Sequence, residues 1–205
     1  MKTLLPLFVL LLAAGPAPVS AADAEAKIGA PAPAFSLIDS TGKARRLADF
    51  KGKVVVLEWY NNDCPYVKKH YESGNMPKLQ KKFTGKGAVW LSIISSAEGK
   101  QGHVTGPEAE SNKKKAGAAP THVLFDPTGA TGRAYGAKTT PHMYVVDTKG
   151  ILRYNGAIDS VPSADQSDIA DARSYITEAA DAVLAGRAVG NPVTKPYGCS
   201  VKYKN

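Results

Sequence analysis

Cysteine is scarce in this chain, with two in 205 residues. Cys64 and Cys199 can make one structural disulfide, one redox pair or two separate thiol sites, and the sequence alone does not decide among them. A Gly-rich phosphate loop and a dinucleotide fingerprint are both missing, so no organic cofactor is implied. No internal repeat, long low-complexity tract or second-domain boundary interrupts the chain. Long apolar runs are also absent: the core from Leu4 to Leu12 is too short to span a bilayer. Preceded by Lys2 and followed by Val19-Ser20-Ala21, it has the layout of a secretory signal peptide, with an uncleaved anchor as the alternative. Residues 1–21 are therefore expected to be removed. The protein is then exported, to a bacterial periplasm, and does not span the membrane. Acidic residues are the minority charge, 18 against 26 Lys and Arg, for a formal net charge of +8. The lysines are scattered, at Lys68-Lys69, Lys81-Lys82 and Lys113 to Lys115, which reads as solvated helix faces rather than a nucleic-acid surface.

What is present is organised around residues 53–67, KVVVLEWYNNDCPYV. Val54 to Tyr60 is β-branched and aromatic without alternation, which predicts a strand buried on both faces. Asn61, Asn62 and Asp63 break it. Pro65 suits the first turn of a helix, where its missing N–H is no loss, so Cys64 falls where a strand hands over to a helix. Unpaired N–H groups and the helix dipole there favour thiolate, the nucleophilic form.

Around this stretch the pattern is α/β. A short arm precedes a strand-turn-strand over Pro31–Phe50 with Gly42 in the turn. Helical spacing runs from Pro65 to about Tyr71, breaks at Ser73-Gly74-Asn75 and resumes from Met76 to Phe83. Strands are expected at Ala88–Ser95 and Val123–Phe125, with an exposed helix at Pro107–Ala116 between them. A short helix near Thr131–Tyr135 precedes a hairpin of Met143–Val146 and Ile151–Ile158. Ser167–Leu184 reads as one helix with Ile169, Ala172, Ile176, Ala179 and Val183 on one face. The tail after Gly190 carries Pro192, Pro196 and Gly198 and is ordered only if it docks.

An apolar strand with an acid six residues before Cys-Pro, then Thr-Pro before a hairpin, resembles the thioredoxin fold. Pro31-Ala32-Pro33-Ala34-Phe35 and Leu47 to Lys53 resemble its redoxin, peroxiredoxin-like (AhpC/TSA-like) branch. Asp63 to Val67, Thr139 to Met143, Gly156 to Asp159 and Tyr197 to Tyr203 resemble the exported proteins of that branch. The resemblance implies a thioredoxin-like three-layer α/β/α sandwich with a central mixed sheet and an N-terminal hairpin extension. Residues 22–190 would form that domain and residues 191–205 the tail carrying Cys199.

It also implies site roles. Cys64 matches the first cysteine of Cys-x-x-Cys and Val67 stands where the second would be, so no local dithiol forms. Glu58 matches the buried acid that moves protons for the thiols, and desolvation should raise its pKa. Pro141 matches the cis-proline that faces the active cysteine, leaving the Thr140 backbone to bind an extended substrate, with Pro65 and Tyr60 flanking it. Cys199 is either the resolving thiol for Cys64 or half of a static staple. The implied activity is thiol-disulfide exchange or thiol-based peroxide handling, on a thiol, disulfide or peroxide substrate with a separate reductant. Two alternatives stay open. A non-catalytic binding module requires a buried Cys64 of ordinary pKa. A metal carrier would draw on Cys64, His70 and His142.

Overall fold

The structure, a computed structural model, describes residues 26–204. The signal segment read over residues 1–21 lies outside them. In chain order the elements begin with the hairpin β1 (Ser36–Asp39) and β2 (Ala44–Arg46), a 3-10 turn and β3 (Val55–Trp59). Then come α1 (Pro65–Glu72), α2 (Asn75–Gly85), β4 (Val89–Ile94), α3 (Gly106–Lys115), β5 (His122–Phe125) and α4 (Ala130–Ala134). β6 (Thr139–Thr140), β7 (His142–Val146), β8 (Leu152–Gly156), α5 (Tyr175–Leu184) and β9 (Cys199–Ser200) complete the series. Seven strands make one mixed sheet in the order β2-β1-β5-β4-β3-β7-β8, with β3, β4 and β5 parallel and the remaining pairings antiparallel. β6 and β9 form a separate two-stranded ladder.

Every residue of β3 and β4 is buried, as a strand without polar alternation demands. Because side chains alternate across a strand, the central sheet feeds two cores. Val54 and Val56 join Trp90, Met143, Val145 and Tyr154 beneath Met76 and Phe83 of α2 and Ile176 and Val183 of α5. Val55, Leu57 and Trp59 join Leu91, Ile93 and Tyr144 beneath Phe35 and Tyr135 on the opposite face. Each such fully buried side chain contributes about 1.5–3 kcal/mol relative to an exposed one. The result is the expected α/β/α sandwich, with the hairpin extending one edge. Among the described residues no helix is long and apolar enough to cross a membrane.

One expected helix is two pieces. Ser167–Leu184 divides into a 3-10 turn at Gln166–Ile169 and α5 starting at Tyr175. The periodicity was real only in the second piece. Between them the Arg173 backbone bonds Ser160 in both directions: its N–H donates to Ser160 Oγ (3.0 Å) and its carbonyl accepts from Ser160 N–H (3.0 Å). An engaged backbone cannot continue the i to i−4 ladder.

The tail docks along its length. It first runs beside β8, where Asn155 N–H donates to Pro192 O (3.0 Å) and Thr194 Oγ1 accepts from Ala157 N–H (2.9 Å). It then crosses to β6, pairing Cys199 with Thr140 and Ser200 with Thr139. Beyond that, Val201 N–H donates to Lys138 O (3.0 Å), Ala97 N–H to Lys202 O (2.9 Å), and the Tyr203 hydroxyl to Ala137 O (2.7 Å). Gly198 makes the crossing possible. Its φ of +130° disfavours L side chains, and a Cβ there would collide with the Thr140 carbonyl. Gly198→Ala should therefore lift the tail at a cost of about 1–3 kcal/mol. Limited proteolysis should cut the variant's tail faster than the wild type's while α5 and the sheet stay protected; equal cutting rates would refute this.

Candidate functional site

Cys64 is the N-cap of α1 and Pro65 its first residue, so the cysteine sits at the helix start the sequence predicts. The break before it is an Asx turn: Asn61 Oδ1 accepts from Asp63 N–H (2.9 Å) and Asn61 O from Cys64 N–H (3.2 Å). Cys64 is 0% exposed, and its thiol donates to the carbonyl of Thr140 (3.1 Å). The Thr140–Pro141 peptide bond is cis, as expected. Cys199 lies opposite Thr140 in the β6–β9 ladder, so Thr140 is the shared neighbour of both thiols. Both cysteines are free.

The electrostatics of the two sulfurs are opposite. Burial alone would push the Cys64 thiol up. The neighbouring Cys199 thiol, the Thr140 side chain and the N–H groups of Cys199 and Val67 outweigh it and bring its pKa below the ordinary value. Cys199 is pushed up to about 11, by burial first and then by Cys64 itself. Of the two, Cys64 is thus the one that gives up its proton more readily. A purely structural Cys64 shares the burial seen here but not the lowered pKa.

The other expected site residues divide. Thr140 and Pro141 are buried, and the Thr140 backbone is not open to an extended substrate as expected, because β9 already pairs with it. Pro65 is exposed at the helix start. Tyr60 points to the other side of α1, its ring 5.0 Å from that of Tyr71 and its hydroxyl donating to Asn62 (3.1 Å). Together with Tyr71, Val67 and Lys68 it lines a surface pocket of about 420 Å³.

Glu58 is fully buried, and burial raises its pKa against four donors that lower it. Its Oε1 accepts from Tyr71 hydroxyl (2.8 Å); its Oε2 accepts from Trp90 Nε1 (2.8 Å), Ser92 Oγ (2.9 Å) and Gln80 Nε2 (3.3 Å). None of these partners is Cys64. The structure therefore does not hydrogen-bond the acid to the thiol; the Tyr71 hydroxyl links it instead to the pocket beside Val67.

A second cluster was not recognised from the sequence. The Tyr197 hydroxyl, two residues before Cys199, donates to Asp159 Oδ1 (2.5 Å) and accepts from His70 Nε2 (3.3 Å). His70 Nδ1 accepts from Asn75 (2.9 Å), which fixes that tautomer. The Tyr197 ring meets Tyr66 edge-on at 5.9 Å, and Lys69 Nζ lies 6.0 Å from its centroid. Lys69 itself is 1% exposed and donates to Val161 O and Ser163 Oγ, both at 3.3 Å. This corrects its reading as part of a solvated face. Gly156–Asp159 and Tyr197–Tyr203 stood out as motifs, but nothing in their spacing showed that they touch.

The histidines proposed as metal ligands are spoken for. His142 Nε2 donates to Asn155 Oδ1 (2.8 Å) and its Nδ1 accepts from Lys138 N–H (3.2 Å), while both His70 nitrogens have the partners above. Among the described residues no group of three His, Cys, Asp or Glu is placed to hold a metal ion.

Comparison with known proteins places these observations in context. Residues 28–155 match the model of the AhpC/TSA family. Thioredoxin-like protein YneN of Bacillus subtilis (strain 168) is 31% identical over 130 residues, covering 61% of this chain and 68% of that protein. An uncharacterized conserved protein from Geobacillus kaustophilus has a similar structure, with TM-score 0.73 and 27% identity over 87% of this chain and 93% of that one. A chain provisionally named thiol:disulfide interchange protein DsbE, from Chlorobium tepidum, has TM-score 0.52 and 27% identity over 64% of this chain and 85% of that one.

The buried histidines generate a pH dependence. Burial lowers both His70 and His142 to about 4, against an ordinary 6.5, so each must be neutral in the fold. Their contribution is complete above pH 6.5 and is lost as pH falls toward 4, because the unfolded chain takes up protons that the folded one refuses. Glu58, raised, works in the opposite direction, so the clean measurement is a difference between variants. In chemical denaturation across pH 7 to 4, His142→Gln should reduce the slope of stability against pH by about one proton. An unchanged slope would show that His142 titrates normally.

Proposed function

The chain belongs to the AhpC/TSA family of thioredoxin-fold thiol redox proteins, and on that premise we propose that it is an exported thiol oxidoreductase whose working dithiol is Cys64 with Cys199. The observation that carries this is the β6–β9 ladder, which sets Cys199 across from the residue whose carbonyl holds the Cys64 thiol. Cys64 is the nucleophile and Cys199 the resolving thiol. With a disulfide substrate, Cys64 thiolate attacks one sulfur and expels the other as thiolate. Cys199 then attacks the Cys64 sulfur of the mixed disulfide, closing the intramolecular bond and releasing the second substrate thiol. With a hydroperoxide, Cys64 takes the terminal oxygen as sulfenic acid and releases the alcohol, and Cys199 condenses with it to disulfide and water. In each case the substrate gains the two electrons that the dithiol loses. Full burial of Cys64 supports a small oxidant over a folded protein's disulfide. The signal segment read over residues 1–21 supports the periplasm as the place.

The same burial favours one rival, a disulfide that only staples the tail. Redox poise separates the two: structural disulfides have potentials below about −300 mV, and working pairs lie above. Equilibration in thiol buffers followed by mass spectrometry should show an intrachain Cys64–Cys199 bond that forms and is reduced above that limit. A bond that persists at all reachable potentials would make it a staple, and absence of the bond would end the resolving role of Cys199. Cys199→Ser should leave Cys64 able to form a mixed disulfide with added glutathione but no intrachain bond.

A further inference from the structure

Tyr60, expected beside the substrate of Cys64, instead lines the pocket of about 420 Å³ along α1, and the thiol chemistry makes no use of that space. The volume is that of a small-molecule site. One wall is α1; the other is the end of α3, which contributes Asn112, Lys115 and Ala116. Two rings supply aromatic surface. Those of Tyr60 and Tyr71 lie 5.0 Å apart, and both hydroxyls are committed, Tyr60 to Asn62 (3.1 Å) and Tyr71 to Glu58 (2.8 Å). What they offer a ligand is ring rather than a polar contact.

The charges around this surface are unequal. Lys68 and Lys115 are exposed members of the lining. Among the described residues, Lys82, Lys86 and Lys113 are held in ion pairs, and neither Lys68 nor Lys115 is. The carboxylate of the lining, Glu72, accepts from Gln166 Nε2 (3.3 Å). Two ammonium groups without an acidic partner, set beside aromatic rings, complement an anion carried on an apolar ring. A cation would meet two like charges, and an uncharged ring would leave both lysines unused.

We propose that this pocket is a binding site for a small organic anion, an aromatic carboxylate whose ring lies against Tyr60 and Tyr71 and whose charge meets Lys68 and Lys115. The site adjoins the thiol through Val67. That side chain lines the pocket, while its N–H is one of the groups that stabilise the Cys64 sulfur. The anion thus rests against the turn of α1 that Cys64 caps. Its binding does not depend on Cys64 and Cys199 being a redox pair.

The test titrates the full chain, kept reduced, with benzoate and separately with benzamide, an uncharged molecule of nearly the same shape, and follows the assigned backbone amide signals by NMR. Benzoate should saturate with a Kd of about 1 mM or below. Its largest shifts should fall at Tyr60, Val67, Lys68, Asn112 and Lys115, and its affinity should drop as salt screens the charges. Benzamide should bind at least about fivefold more weakly. Benzoate shifts that do not saturate, or that centre elsewhere, would overturn the site. Benzamide binding as tightly as benzoate would overturn the preference for an anion. Lys68→Gln combined with Lys115→Gln, both at exposed positions, should weaken benzoate by about fivefold to tenfold while the signals of the central sheet stay in place. Full affinity in that variant would overturn the role of the two lysines.

Discussion

The pairing of Thr140 with Cys199 is the contact that orders the surroundings of Cys64. It covers the cis-proline loop, closes the edge that would otherwise be free to pair with another chain, and brings a second thiol to Cys64, which lacks a local partner because Val67 occupies that place. Two unpaired edges lying side by side satisfy each other's hydrogen-bonding groups, which removes a liability of exposed strands. The consequence for Cys64 is a sulfur desolvated by the tail yet set beside the Cys199 thiol and the N–H groups of Cys199 and Val67. Either effect alone would give an inert thiol or an indiscriminately reactive one.

Much of this fold is legible in composition and spacing. The run Val54 to Tyr60 is buried as a non-alternating strand should be, and the helix restart after Gly74 and the turn at Gly42 follow from residues that tolerate positive φ. Legibility ends where local pattern and tertiary context part. Ser167–Leu184 has helical spacing throughout, but Ser160 captures the Arg173 backbone from a distance in sequence that no periodicity records. β6 and β9 are two residues each and carry no strand pattern; they exist because each finds the other.

The site divides in the same way. Cys64, Pro65 and the cis-proline are announced by position relative to predicted elements. Glu58 is buried as expected of the matching acid, but four donors from β4, α1 and α2 surround it and none is the thiol. Lys69, Asp159 and Tyr197 carry no signal on their own: a lysine in a helix, an acid after a hairpin and a tyrosine in a Pro- and Gly-rich tail are each ordinary until packed together. Their burial is tolerated because each polar atom is partnered.

The β6–β9 ladder also has a place in time. It joins segments far apart in the chain, and contacts of that kind form late because loop closure must come first. The central sheet has two hydrophobic faces of its own, and the tail adds partly buried contacts to them through Tyr197 and Val201. Without the docked tail Cys64 lacks the cover that β9 gives it. Docking of the tail therefore conceals the Cys64 thiol, and conditions that slow it lengthen the interval in which that thiol is accessible.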